Sequence, residues 1–210
     1  MNLEKSSFYA GHCQRNWDHT KPIPDADVET ITNIAMNMPT KQNVLQYELL
    51  AVKDREKILD LFEFAVSVEP MGRGHVFSGN DLFRNGQVNA SLVLIWATTN
   101  SPELKSNPDW TDSSNTDQYS KTIGVGISAG ATALACNHMG YRTGFNQCFD
   151  NKRMDKFIKE HTETGGQFVT SLGIGHPLEG YERNQVVDNG DILYTAIKRE
   201  PKKVKIVTIV

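Results

Sequence analysis

A cation flanked by hydrogen-bonding side chains, His12-Cys13-Gln14-Arg15-Asn16-Trp17-Asp18, stands at the end of a first helical stretch. After one further helix comes a proline-punctuated polar turn, Pro39-Thr40-Lys41-Gln42-Asn43, just before a strand. Helix ends leave backbone groups unpaired, and such ends and turns hold phosphates and polar cofactors. Hydrolytic chemistry fits less well. His12 and Cys13 are adjacent, so their side chains diverge rather than share a proton, and the chain has no His-Glu-x-x-His or Walker sequence. Gly173-Ile174-Gly175-His176-Pro177 imitates a phosphate loop but ends in His-Pro where a dinucleotide fingerprint continues into a helix, so it reads as a strand-terminating turn.

Composition narrows the field. The 210 residues suit a single domain, 1–210, with a proper core, and the net charge of -3 with interspersed signs argues against nucleic-acid binding. The basic cluster Lys198-Arg199, Lys202, Lys203 and Lys205 is local, as solvated faces often are. Three cysteines, Cys13, Cys136 and Cys148, cannot all pair, and none forms Cys-x-x-Cys, so neither a disulfide scaffold nor a zinc site is expected. The first residues lack a signal peptide's apolar run, and no segment approaches the length of a membrane span. A reduced cytoplasmic protein with no metal and no membrane partner is the expectation.

These residues need elements to position them. Helices are predicted over Leu3 to Gly11, from Asp25 until Pro39 stops the pattern, from Asp54 through Ala65, from Asp117 to Met139, and from Asp150 or Asn151 to about His161. Strands are predicted over Val44 to Lys53, Ala90 to Thr98, Tyr141 to Gln147, Gln167 to Ile174, Asp191 to Lys198 and Val204 to Val210. Leu92-Val93-Leu94-Ile95-Trp96 is apolar without alternation, as a strand buried on both faces requires. Val44 to Lys53 instead alternates, with Leu45, Tyr47, Leu49 and Ala51 on one face. Glu69 to Asn89 and Ser101 to Thr116 are loops, the second long enough to shape a binding site. Gly124, Gly126 and Gly130 lower helix propensity by about 1 kcal/mol each, which implies a close neighbour, a packed helix or a dimer interface before a ligand. Interleaved helices and strands with one mixed sheet place the chain in the α/β or α+β class.

Taken in order, these segments resemble the FMN-dependent nitroreductase family along most of the chain. The family's Arg-Arg-Ser-x-Arg-type opening falls at Gly11 to Trp17 and its Pro-Ser-x-x-Asn turn at Pro39 to Asn43. Its Asn-x-Gln falls at Asn85-Gly86-Gln87 before the buried strand. The small-residue helix and Gly-Leu-Gly-Thr-type end fall at Ile123 to Thr143, the Gly-Phe-Asp-type stop at Cys148-Phe149-Asp150, and a basic tail closes the order.

The resemblance implies an α+β fold with a central mixed, mostly antiparallel sheet flanked by helices, and a C-terminal strand exchanged in a homodimer. It implies FMN at the dimer interface, NADH or NADPH as reductant by a ping-pong scheme, and a nitroaromatic, quinone or similar electron-poor acceptor. Arg15 would serve flavin N1 and the C2 carbonyl, because a fixed cation favours the anionic reduced ring. His12 and Cys13 would lie by the ribityl phosphate. Thr40 and Asn43, from the partner subunit, would hydrogen-bond the ring or ribityl chain. Asn85 and Gln87 would serve the pyrimidine edge or ribityl hydroxyls, and Gln147 and Cys148 the backbone positions near N5. No side-chain acid or base is obligatory in that scheme.

Several positions depart from the family pattern. Gly11 stands for the phosphate-binding arginine, Cys13 for serine, Leu45-Gln46-Tyr47 for Gln-Pro-Trp, and Gln147-Cys148 for the usual glutamate or glycine. His12 with Lys202, Lys203 or Lys205 would then supply the phosphate charge. Each residue also has a plainer reading. Arg15 would pair with Asp18 or another surface carboxylate, Thr40 and Asn43 would build a turn, Cys148 would be a small buried hydrophobe, and His75, His138 and His161 would be structural or solvent-facing. Two alternatives share the scaffold: a flavin-binding or redox-inactive regulatory relative, and a dehalogenase-like or flavin-fragmenting relative.

Overall fold

The computed structural model describes residues 2–43, 46–67, 83–99, 114–163, 165–180, 185–188 and 191–195. Its elements run α1 (Leu3–Ala10), α2 (Asp25–Met36), a 3-10 turn (Lys41–Asn43), β1 (Tyr47–Val52), α3 (Arg55–Phe64), β2 (Val66–Ser67), β3 (Phe83–Arg84), β4 (Leu92–Thr98), α4 (Ser114–Met139), β5 (Arg142–Asn146), α5 (Asn151–His161), β6 (Phe168–Gly175), β7 (Gln185–Asp188) and β8 (Asp191–Thr195). Local chemistry sets the helix starts. Asn2, Asp54 and Asp150 each accept a backbone N–H from Lys5, Lys57 and Arg153, satisfying a donor that the first turn leaves unpaired. Gly140, at φ 105°, ends α4 in a conformation that β-carbon-bearing residues avoid.

The main sheet has the order β1-β4-β6-β5. Every ladder among the described residues is antiparallel, so the expected mixed sheet shows no parallel pairing there. Two further two-stranded antiparallel sheets, β2-β3 and β7-β8, are separate from it. Neither β2, β3 nor β7 was expected from the sequence, because two- and four-residue strands carry too little alternation to read. The expected strand Val204 to Val210, the basic tail and nearly all of the Ser101 to Thr116 loop lie outside the described residues.

All seven residues of β4 are buried, as its unbroken apolar run requires. Leu92, Leu94 and Trp96 pack with Ile31 and Ala35 of α2 and Val125, Ala129 and Ala133 of α4. Val93, Ile95 and Ala97 pack on the other face with Ile58 and Leu61 of α3 and Met154 and Ile158 of α5. The period of two thus splits the strand between two helical layers. β1 lies at the sheet edge and shows why its predicted apolar face is incomplete: Tyr47 is buried, Leu49 partly so, and Ala51 is exposed.

One carbonyl ties the first layer together. Tyr47 Oη and Ser128 Oγ both donate to the Ala35 carbonyl at 2.6 Å, and Trp96 Nε1 donates to Ser128 Oγ at 2.9 Å. All of these groups are buried, so their pairing removes a desolvation cost.

Gly144 of β5 and Gly173 of β6 are direct partners across the ladder. A β-carbon on Gly144 would stand 2.4 Å from the Gln14 carbonyl oxygen, and one on Gly173 only 1.9 Å from that of Gln87. This flat pair of residues lets two chain segments, around Gln14 and Gln87, lie directly on the sheet. Trp17 Nε1 donates to the Gly86 carbonyl at 2.7 Å and holds the segments side by side.

Candidate functional site

Where those segments meet the β5 end, a cavity of about 510 Å³ opens. Three groups of residues line it: Asn85 and Gln87 from the segment before β4; Thr122, Val125, Gly126, Ala129 and Gly130 from α4; and Phe145 to Cys148 with Val169 and Thr170 from the sheet. Its volume falls within the roughly 300–1,000 Å³ of small-molecule sites. The lining carries amides, hydroxyls and apolar surface but no formal charge.

The polar groups are held rather than loose. Asn85 Nδ2 donates to the Ala65 carbonyl at 3.2 Å, where its backbone N–H also donates. Gln147 Nε2 donates to the Val169 carbonyl at 3.2 Å. The buried Asn146 carboxamide brackets Cys148, donating to its carbonyl at 3.2 Å and accepting its N–H at 3.4 Å. Gln87 differs. It is 6 % exposed, and its Oε1 is buried with no hydrogen-bond partner. An unpaired buried acceptor costs about 1–3 kcal/mol, which a ligand donor would recover.

The α4 wall is shaped by its glycines. Gly126 and Gly130 are exposed, and a β-carbon on either meets nothing within 4 Å, so this face admits a flat group close to the helix backbone. Gly124 behaves differently: its β-carbon would meet Thr40 Cγ2 at 3.4 Å and Gln46 Oε1 at 3.5 Å. Close packing therefore explains Gly124, whereas Gly126 and Gly130 face the cavity.

The expected site residues separate into groups. Asn85, Gln87, Gln147 and Cys148 converge on one cavity. Cys13 and Arg15 flank it: Cys13 Sγ approaches the Phe145 carbonyl at 3.7 Å, and the Arg15 carbonyl lies 2.8 Å from where a β-carbon on Gly86 would stand. Arg15 Nη1 donates to the Cys13 carbonyl at 3.2 Å. Thr20 and Lys21 engage Asp18, and they hold its carboxyl down at about 2. His12 turns its Nδ1–H back to the Phe8 carbonyl at 2.7 Å, at the end of α1.

Thr40 and Asn43 stand elsewhere. Positions two apart on a helix point about 200° apart, so Gly124, against which Thr40 packs, looks away from Gly126 and the cavity. Asn43 ends the 3-10 turn at φ 57°, a conformation asparagine tolerates. Lys202, Lys203, Lys205 and His75 lie outside the described residues. His138 and His161 are solvent-facing, as read from the sequence.

Cys148 departs from its plainer reading as a buried hydrophobe, because it is exposed. Cys136 is the buried thiol, and burial pushes its pKa up to about 12. Sequence reading missed Asn146, Thr122, Phe145, Val169 and Thr170 as cavity residues. The i, i+4 spacing of Gly126 and Gly130 was a usable signal, since it puts both on one helix face.

A family model described as the nitroreductase family matches residues 12–176. Among solved structures, nitroreductase A from Vibrio parahaemolyticus is 18% identical with a TM-score of 0.64, over 90% of this chain and 72% of that one. The NADPH:FMN oxidoreductase from Vibrio harveyi, complexed with NAD+, is 19% identical with a TM-score of 0.64, over 90% and 73%. An FMN complex of a provisionally named nitroreductase from Exiguobacterium sibiricum is 15% identical with a TM-score of 0.64, over 87% and 91%. No curated protein matches the sequence. Among the described residues no helix is long and apolar enough to cross a membrane, and no cluster of His, Cys, Asp and Glu could hold a metal ion.

Proposed function

The chain belongs to the nitroreductase family, and from that premise we propose that it is an FMN-dependent oxidoreductase. It would use NADH or NADPH to reduce a nitroaromatic, quinone or similar electron-poor acceptor. The observation that carries this reading is the uncharged cavity beneath α4, lined in part by Gln87, a residue whose side-chain oxygen is buried and unpaired.

The residues present suit a flavin ring. Gln87 would accept from a ring N–H, with the Asn85 carboxamide beside it. Gly126 and Gly130 leave room for a planar group, and Phe145 and Val169 supply apolar contact. Arg15, beside Gly86, would contribute the cation that favours negative charge on the ring. When bound, FMN supplies hydride acceptance from a nicotinamide and electron delivery to the acceptor. The protein contributes orientation, electrostatics and exclusion of water. His12 and the lysines Lys202, Lys203 and Lys205 are proposed to hold the phosphate.

We also propose a homodimer. Thr40 packs at Gly124, on the side of α4 away from the cavity of the same chain, so it and Asn43 would serve a site only in a second copy. Tyr119, Ile123 and Ile127, exposed by 69%, 47% and 43% at i, i+4 spacing, form an apolar stripe suited to that contact.

The test is an absorption spectrum of purified protein with and without FMN, followed by NADH or NADPH under anaerobic conditions. Bound flavin that bleaches is the expected result. Bound flavin that stays oxidised would favour the flavin-binding or flavin-fragmenting alternatives, and a protein that takes up no flavin would overturn the reading.

A further inference from the structure

β5 leaves the sheet at the cavity. Its ladder with β6 ends at the pair Asn146 and Ser171, and the next two residues, Gln147 and Cys148, continue along the cavity wall. The chain is anchored again at Phe149, buried against the rings of Phe64 and Phe168, and at Asp150, whose N–H donates to the Phe64 carbonyl at 2.8 Å. Between these anchors the Asn146 side chain takes the place of a strand partner. Its Nδ2 donates to the Cys148 carbonyl and its Oδ1 accepts the Cys148 N–H, so one carboxamide pairs both main-chain groups of that residue. Asn146 is itself buried, and Ser171 Oγ donates to its carbonyl at 3.0 Å, which ties it to β6.

We infer that Asn146 is a positioning residue of the flavin site: by pairing both main-chain groups of Cys148, it sets the β5-side wall of the cavity in its receiving shape before any flavin binds. The inference rests on the FMN reading given above. Its consequence is that binding does not have to order this wall, and the free energy of ordering is not subtracted from affinity. Asn146 acts through the Cys148 peptide.

Two substitutions separate this role from a general structural one. Asn146→Leu is similar in size and makes neither bond. Asn146→Asp makes the bracket conditional on protonation. A neutral carboxyl accepts an N–H and donates an O–H, as the carboxamide does, whereas a carboxylate only accepts and would face the Cys148 carbonyl. Burial and that carbonyl raise the pKa of such a carboxyl above the usual carboxylate range. FMN affinity of Asn146→Asp, taken as a ratio to wild type at each pH so that titration of the FMN phosphate cancels, should approach the wild-type value in acid. It should fall about tenfold below it once the carboxyl ionises, and Asn146→Leu should be about tenfold weaker at every pH.

A second readout needs no flavin. Amide hydrogen exchange on flavin-free protein should show the Cys148 N–H exchanging about tenfold faster in Asn146→Leu than in wild type, with the Ser171 amide unchanged. Should the leucine variant not fold, the aspartate variant carries the comparison within one protein, at low and high pH.

An unchanged Cys148 exchange rate, equal FMN affinity in a folded leucine variant, or an aspartate variant whose affinity ratio ignores pH would each overturn the role of Asn146. So would a loss of protection that spreads to Ser171 while FMN affinity holds, since that describes a structural residue. Wild-type protein that takes up no flavin would overturn the redox reading and this role with it. Wild type that binds flavin no better than the leucine variant would overturn the role alone.

Discussion

Gln87 shows how a single residue trades stability for recognition. Its backbone carbonyl lies against Gly173, its side chain lines the cavity, and its Oε1 is buried without a partner. A polar atom left this way destabilises the ligand-free protein and gains a bond only when a donor arrives. Gln87→Leu, which keeps much of the volume, should therefore leave ligand-free stability equal or raised by about 1 kcal/mol in denaturant unfolding. The same variant should weaken FMN binding about tenfold by titration. A clear loss of ligand-free stability would mean that the carboxamide is structural. Cys148 makes the complementary point: a residue type that is often buried is here exposed, because β5 has ended and the chain turns toward α5.

At the scale of elements, α4 is the organiser. One face carries Val125, Ala129 and Ala133 into the core, while Thr122, Gly126 and Gly130 wall the cavity. Its position is set by Ser128, which joins Trp96 of β4 to the end of α2 through the Ala35 carbonyl. Ser128→Ala would leave the buried Trp96 Nε1–H without an acceptor. Ala35 would keep its bond from Tyr47. The expected cost is about 2 kcal/mol, mostly the unpaired indole, measured as a lower denaturant midpoint with an unchanged slope. A change within 0.5 kcal/mol would mean that water replaces the hydroxyl, a surface-like outcome by the usual range of about ±0.5 kcal/mol.

For the whole molecule the question is what completes the site. Within one chain, Thr40 lies on the side of α4 away from the cavity that Asn85, Gln87, Gln147 and Cys148 line, and an apolar stripe of that helix faces outward. A second copy seated on the stripe would cover it. Ile123→Asp should turn a dimer into a monomer by sedimentation and abolish FMN binding, with ligand-free helix content retained because Ile123 is exposed in the isolated chain. A wild-type protein that sediments as a monomer yet binds FMN would remove Thr40 and Asn43 from the site.

The sequence by itself determined the elements whose signals are local. Asp54 and Asp150 cap their helices, Gly140 stops α4, and the unbroken Leu92 to Trp96 run lies in a strand buried on both faces. It also determined the family, because the order of short polar motifs along a chain survives when each motif has drifted. The four residues Asn85, Gln87, Gln147 and Cys148, named from that order, do meet in one cavity. Tertiary structure alone decided the rest. Gly144 and Gly173 are far apart in sequence and paired across a ladder, and only that pairing reveals why Gln14 and Gln87 lie against the sheet. It also distinguished Gly124, which is packed, from Gly126 and Gly130, which are open, and it revealed Asn146 as the bracket of Cys148. Motifs record which chemical groups a chain carries. Which face of a helix meets a neighbour, and which polar atom stays unpaired, depends on packing between distant segments.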